Sequence, residues 1–83
     1  MKVKYIGETF YNGLGLTNNK IYECIDIDEE AELLEIIDDE EESTLYPIID
    51  PRPLDGSSRG GKWEIIEDES GKLEKIFKKL NLI

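Results

Sequence analysis

The chain offers few of the side chains that run chemistry near neutral pH: there is one cysteine, Cys24, and no histidine. Without histidine, the commonest general base and metal ligand is missing. Cys24 stands inside a β-branched stretch with no base to activate it, so the expected role is a small packed core residue rather than a nucleophile. One cysteine and no histidine also fall short of a tetrahedral zinc site. Carboxylates are plentiful, with 20 Asp and Glu in 83 residues. That abundance is itself the reason not to read an acid–base couple into any one pair, since nothing in the sequence marks a pocket around it.

Three further patterns have chemical meaning. Asp26-Ile27-Asp28-Glu29-Glu30 begins like a calcium loop, but Ala31 stands where the turn needs glycine and Ile37 where a bidentate glutamate belongs. Arg59-Gly60-Gly61-Lys62 offers backbone amides and two cations to an anion, without the spacing or the final Ser/Thr of a P-loop; a flexible linker is the plainer reading. Tyr5, Tyr11, Tyr22, Tyr46 and Trp63 fit core or rim packing, with a groove as the functional alternative. The expectation is therefore a protein that is not an enzyme and holds no metal or cofactor.

The charge is unevenly placed. The net charge is −10, and the stretch from Ile21 to Asp50 holds thirteen acidic residues and no Lys or Arg, while the two flanks are nearly balanced. Counterion release, which drives nucleic-acid binding, needs clustered cations, so direct DNA or RNA binding is not expected. An acidic run usually makes a solvated surface; its functional readings are a docking face for a basic partner or a mimic of nucleic acid. The single cysteine suits a reducing, cytoplasmic setting. No stretch has the length and apolarity of a membrane span. A monomer or weak homodimer with an unidentified protein partner is the expectation.

At this length one domain is expected, with a thin core. Alternation predicts strands over Lys2–Ile6, Lys20–Ile27, Leu33–Ile37, Thr44–Ile49 and Trp63–Glu67. Asn12-Gly13 is a hairpin signal in the long first connection. In the second strand the apolar set changes parity, from Tyr22 and Cys24 to Ile25 and Ile27, which a bulge would produce. Residues 28–42 also fit a helix, but five acids at its C-terminal end would oppose the macrodipole, so a hairpin is favoured. A 13-residue loop spans 50–62, a length that is often functional or mobile. Leu73, Ile76, Phe77 and Leu80 then mark one face of a helix over about residues 71–82, with Ser70 as its N-cap.

Five short strands, a long first loop and tight central hairpins resemble an SH3-like barrel. Lys20-Ile21-Tyr22-Glu23-Cys24-Ile25 is similar to the strand after that fold's RT loop, and Leu45-Tyr46-Pro47 to its Leu-aromatic-Pro step. Lys2-Val3-Lys4-Tyr5-Ile6-Gly7, Leu16-Thr17-Asn18, Ile37-Asp38-Asp39 and Trp63-Glu64-Ile65-Ile66 complete a resemblance to short uncharacterised proteins of Gram-positive bacteria and their phages. The resemblance implies a mainly β domain, a five-stranded barrel over about residues 1–68 closed by the C-terminal helix. It supplies no activity. The tryptophan that proline-binding SH3 domains carry at the start of the third strand is absent, with Leu33-Leu34 in its region. The expected role is a noncatalytic protein-interaction module. Phe10, Tyr11, Tyr46, Pro47, Arg59 and Lys62 are the candidate partner-binding residues, the last two through small-ligand or anion binding at the 50–62 loop.

Overall fold

Alternating apolar residues produce five antiparallel strands: β1 (Lys2–Gly7), β2 (Ile21–Asp28), β3 (Leu33–Ile37), β4 (Ser43–Pro47) and β5 (Gly61–Glu67). One helix, α1 (Lys72–Lys79), follows. The computed structural model describes residues 1–10, 14–53 and 55–83. The Asn12-Gly13 hairpin signal and Tyr11 lie outside the described residues. The strands form a single open sheet in the order β4-β3-β2-β1-β5. A closed barrel was expected, but β4 and β5 are its two edges and do not pair. Residues 28–42 form the β2–β3 turn, strand β3 and the turn into β4, not a helix.

Strand β2 serves two ladders. Ile21, Tyr22 and Glu23 pair with β1, whereas Cys24 to Asp28 pair with β3. The register shifts between Cys24 and Asp26, so the expected bulge lies at Ile25. An extra residue there bends the strand and reverses which side chains face inward. Ile25 is accordingly exposed, while Ile27 packs against the core.

Inside the bend lie Val3, Tyr5, Tyr22, Cys24, Leu34, Ile36, Tyr46 and Trp63 from one face of the strands, with Ile48 just past β4. At the end of the β1–β5 ladder Gly7 faces Gly61, and a Cβ on Gly7 would stand 2.5 Å from the Gly60 carbonyl oxygen. Only glycine allows the two backbones this approach.

Helix α1 places Leu73, Ile76 and Phe77 in the same core, each at most 2% exposed. It is shorter than the sequence predicts, and its N-terminus is held differently. The Asp68 carboxylate accepts the N–H groups of Leu73 (3.2 Å) and Glu74 (2.9 Å), while the Ser70 hydroxyl oxygen accepts only the Lys72 N–H at 3.4 Å. A carboxylate is the better cap because its charge also meets the positive end of the helix dipole. Asn81, with φ 59°, ends the helix: the Leu82 N–H donates to the Phe77 carbonyl and the Asn81 N–H to the Lys78 carbonyl. Among the described residues no helix is long and apolar enough to cross a membrane.

An eight-residue helix has little stability of its own, so its contribution is the apolar face it buries. Phe77→Ala is expected to cost about 3–5 kcal/mol of unfolding free energy. Lys75→Ala on the exposed side should stay within about 0.5 kcal/mol of wild type. Urea unfolding followed by Trp63 fluorescence measures both, and equal midpoints for the two variants would show that the helix does not complete the core.

Candidate functional site

Two of the five consecutive acids at 38–42 are turned inward, which fixes the surface around β4. Asp38 is only 7% exposed and its carboxylate is fully engaged. One oxygen accepts the backbone N–H groups of Glu40 (3.0 Å) and Glu42 (3.4 Å); the other accepts the hydroxyls of Thr44 (2.9 Å) and Tyr46 (2.8 Å). The side chain thus closes the turn that leads into β4, in which Glu41 takes a left-handed φ of 59°. Asp39 turns to the first loop and accepts from Thr17 Oγ1 (2.8 Å), the Tyr22 hydroxyl (2.9 Å) and Lys20 Nζ (2.7 Å). The Asp39 N–H donates to the Gly15 carbonyl, which brings residues 14–17 against the acidic turn. Glu40, Glu41 and Glu42 remain exposed.

These attachments shape a groove of about 570 Å³ along β4. Phe10 and Tyr46 form its floor, with ring centroids 6.1 Å apart in an edge-to-face arrangement. Both rings are buried. Leu14 (58% exposed) and Leu45 (56%) form its lips, and Pro47 and Pro53 close one side. Arg52 also lines the groove, but its guanidinium is paired with the Asp50 carboxylate. The groove joins an apolar floor to a few polar groups, the usual make-up of a binding site.

Of the candidate partner-binding residues, the structure brings together Phe10, Tyr46 and Pro47; Tyr11 is outside the described residues. Arg59 and Lys62 are not among the residues that line this groove. The Arg59 N–H, one of the amides offered to an anion, donates instead to Glu8 Oε1 at 3.4 Å. Nearby, Ser58 is buried and its hydroxyl donates to the Glu8 carbonyl (3.2 Å) and accepts the Gly60 N–H (3.1 Å). Residues 58–60 are therefore clipped to the end of β1 and its following loop. Lys62 borders a second recess of about 500 Å³ beside Trp63, Ile65 and Phe77. Sequence reasoning missed Leu14 and Leu45 and marked Pro53 only as part of the 50–62 loop. Strand alternation alone would have turned Leu45 outward once Tyr46 was placed inward; the other two come to the groove only through tertiary contacts.

The titratable groups near the groove are structural. Burial, then the hydrogen bond to Asp38, raises the Tyr46 phenol well above its ordinary value. Burial likewise pushes Tyr22 up to about 12, so both phenols are neutral donors. Cys24 is 1% exposed, and burial pushes its thiol up to about 11. No known protein family, curated protein or solved structure matches the chain.

Burial works against ionisation of Asp39, but the bonds from Lys20, Thr17 and Tyr22 together outweigh it and hold its carboxyl below the ordinary value. Its contribution to stability is complete above the unfolded value, about pH 4, and is lost as pH falls through the lower folded value. Urea unfolding in steps between about pH 2 and pH 6 should show a shallower acid-side loss for Asp39→Asn than for wild type; parallel curves would exclude the linkage. Cys24 is expected to react with a disulfide reagent only through opening of the core, at a rate that rises with urea as the unfolded fraction rises. A rapid, urea-independent reaction would place the thiol at the surface.

Proposed function

We propose that the protein is a noncatalytic interaction module that holds a short extended segment of a protein partner in the groove beside β4. The observation that carries this reading is the groove itself: two buried rings beneath two exposed leucines, next to an edge strand. The sole thiol is in the core and does not line the groove. We further propose that the domain is a small, partly open SH3-like barrel. Three features support that description. The strand order places β1 and β5 on one side of a shared, bulged β2 and β3 and β4 on the other. The long first loop and the tight β3–β4 turn fall where that fold has them. The Trp63 indole N–H donates to the Pro47 carbonyl at 3.0 Å, tying β5 to the end of β4 without strand pairing. The groove lies between the first loop and the segment after β4, and its use is consistent with the fold without depending on it.

Selection of displayed peptides against the protein tests the reading. Enriched peptides should bind wild type and lose at least about tenfold in affinity for Leu45→Glu, a change of roughly 1.4 kcal/mol. Leu45 is exposed, so the melting temperature should not move with it. Peptides that bind both forms equally, or no enrichment over an unrelated acidic protein, would overturn the assignment.

A further inference from the structure

We infer that the groove recognises its partner by strand addition: a basic, extended segment pairs main chain to main chain with the free edge of β4. The inference rests on the groove reading above and adds the mode of recognition and the chemistry of the partner.

The direction of the β4 backbone groups follows from two hydrogen bonds. The Ile48 N–H donates to the Glu32 carbonyl (2.9 Å), and the Asp38 N–H donates to the Glu42 carbonyl (3.0 Å). In an antiparallel ladder the bonded residues alternate. Thr44 and Tyr46, in step with Glu42 and Ile48, therefore turn their N–H and C=O groups to β3. Ser43, Leu45 and Pro47 turn theirs outward. The Pro47 carbonyl confirms the parity, because it meets the Trp63 indole on the side away from β3. That bond and the missing proline N–H end the free edge at Pro47. The N–H and C=O groups of Ser43 and Leu45 face outward, and no described residue bonds to them.

The two edges of the sheet differ in how they are guarded. Natural edge strands usually carry charges that discourage pairing. Strand β5, Gly61–Glu67, has Lys62, Glu64 and Glu67 along it. Strand β4, Ser43–Pro47, has no charged residue and an exposed Leu45 at its centre. An edge with no charge on the strand itself, beside an apolar groove, is the arrangement that strand addition uses, with main-chain bonds giving affinity and alternate side chains giving specificity.

Charge selects the occupant. The edge begins directly after exposed Glu40, Glu41 and Glu42, Asp55 lines the groove, and Asp50 neutralises Arg52. A cationic segment is attracted to this end of the strand, and a second copy of so acidic a chain is repelled.

The probe is a library of short capped peptides with lysine at alternate positions and the remaining positions varied over Val, Ile, Leu, Phe and Tyr. Two N-methylated forms of the library are each blocked along one backbone edge. Hydrogen exchange and amide NMR shifts are read on the intact protein. Exchange at the Ser43 and Leu45 amides should slow by at least about tenfold on binding. One N-methylated form should lose binding and the other retain it. Replacing Glu40, Glu41 and Glu42 together by Gln should weaken binding several-fold, as should raising salt from about 0.05 M to about 0.5 M. Their side chains are exposed and only backbone N–H groups of Glu40 and Glu42 serve Asp38, so the free fold should not change. Shifts confined to groove side chains, with both N-methylated forms still bound, would overturn strand addition and leave the groove standing. Absence of binding by this library, while displayed peptides bind the groove, overturns the inference alone; absence of both overturns the two together.

Discussion

Trp63 is the side chain on which the two halves of the sheet meet. Its ring lies edge-to-face with Tyr5 (5.8 Å between centroids), Tyr22 (6.4 Å) and Tyr46 (6.3 Å), from β1, β2 and β4. Its indole N–H finds the Pro47 carbonyl, so the one polar atom of the ring is satisfied inside the core. An open five-stranded sheet this small cannot bury both faces against itself, and a thin core depends on a few large side chains. The indole bond joins the edge strands at one end. The remainder of β4 is unpaired on that side among the described residues, and the groove runs along it.

The bulge at Ile25 and the carboxylate of Asp38 make this meeting geometrically possible. Without the bulge, β2 would present one face throughout, and the β3–β4 hairpin would continue the plane of β1 rather than bend toward Trp63. Without Asp38, the turn into β4 would leave the Glu40 and Glu42 amides and the Tyr46 hydroxyl short of an acceptor. The Tyr46 ring would then lose the bond that orients it between Phe10 and Trp63. The acidity of this segment is thus of two kinds. Asp38 and Asp39 are internal acceptors, and Glu40 to Glu42 set the field at the surface. One stretch of sequence builds the hairpin and charges its tip.

Much of the fold was legible in the residues. The parity change at Ile25 gave the bulge, the Leu-Ile-Phe-Leu spacing gave the helix face, and the five strands lie within a few residues of their predicted places. What alternation cannot tell is whether edges meet, because closure depends on sheet curvature and on long-range contacts such as Trp63 to Pro47. The inward turn of Asp38 and Asp39 was hidden for a related reason. A carboxylate reads as solvated unless its donors are known, and Tyr22, Thr17 and Lys20 are some twenty positions away from Asp39. Of the candidate site residues, Phe10, Tyr46 and Pro47 are marked by aromatic type and by likeness to an SH3 groove, and the structure brings these three together. Arg59 and Lys62 are marked by charge and loop position, and the backbone places them away from that groove.

The free edge of β4 is also the feature that the rest of the molecule accommodates. An unpaired, uncharged edge beside apolar side chains invites self-association, and this chain counters it by means other than charges on the strand. Pro47 stops the ladder, the indole of Trp63 takes the last outward carbonyl, and three glutamates precede the strand. Each device limits which chains can pair there without closing the edge. Covering the edge completely would have required only a longer β4 paired with β5, which the strand order already brings to the opposite border of a bent sheet. The structure instead holds Leu45 at the surface, between a negative tip and a proline stop. Such a placement is what the proposed pairing with a cationic strand requires, and stability alone gives no reason for it.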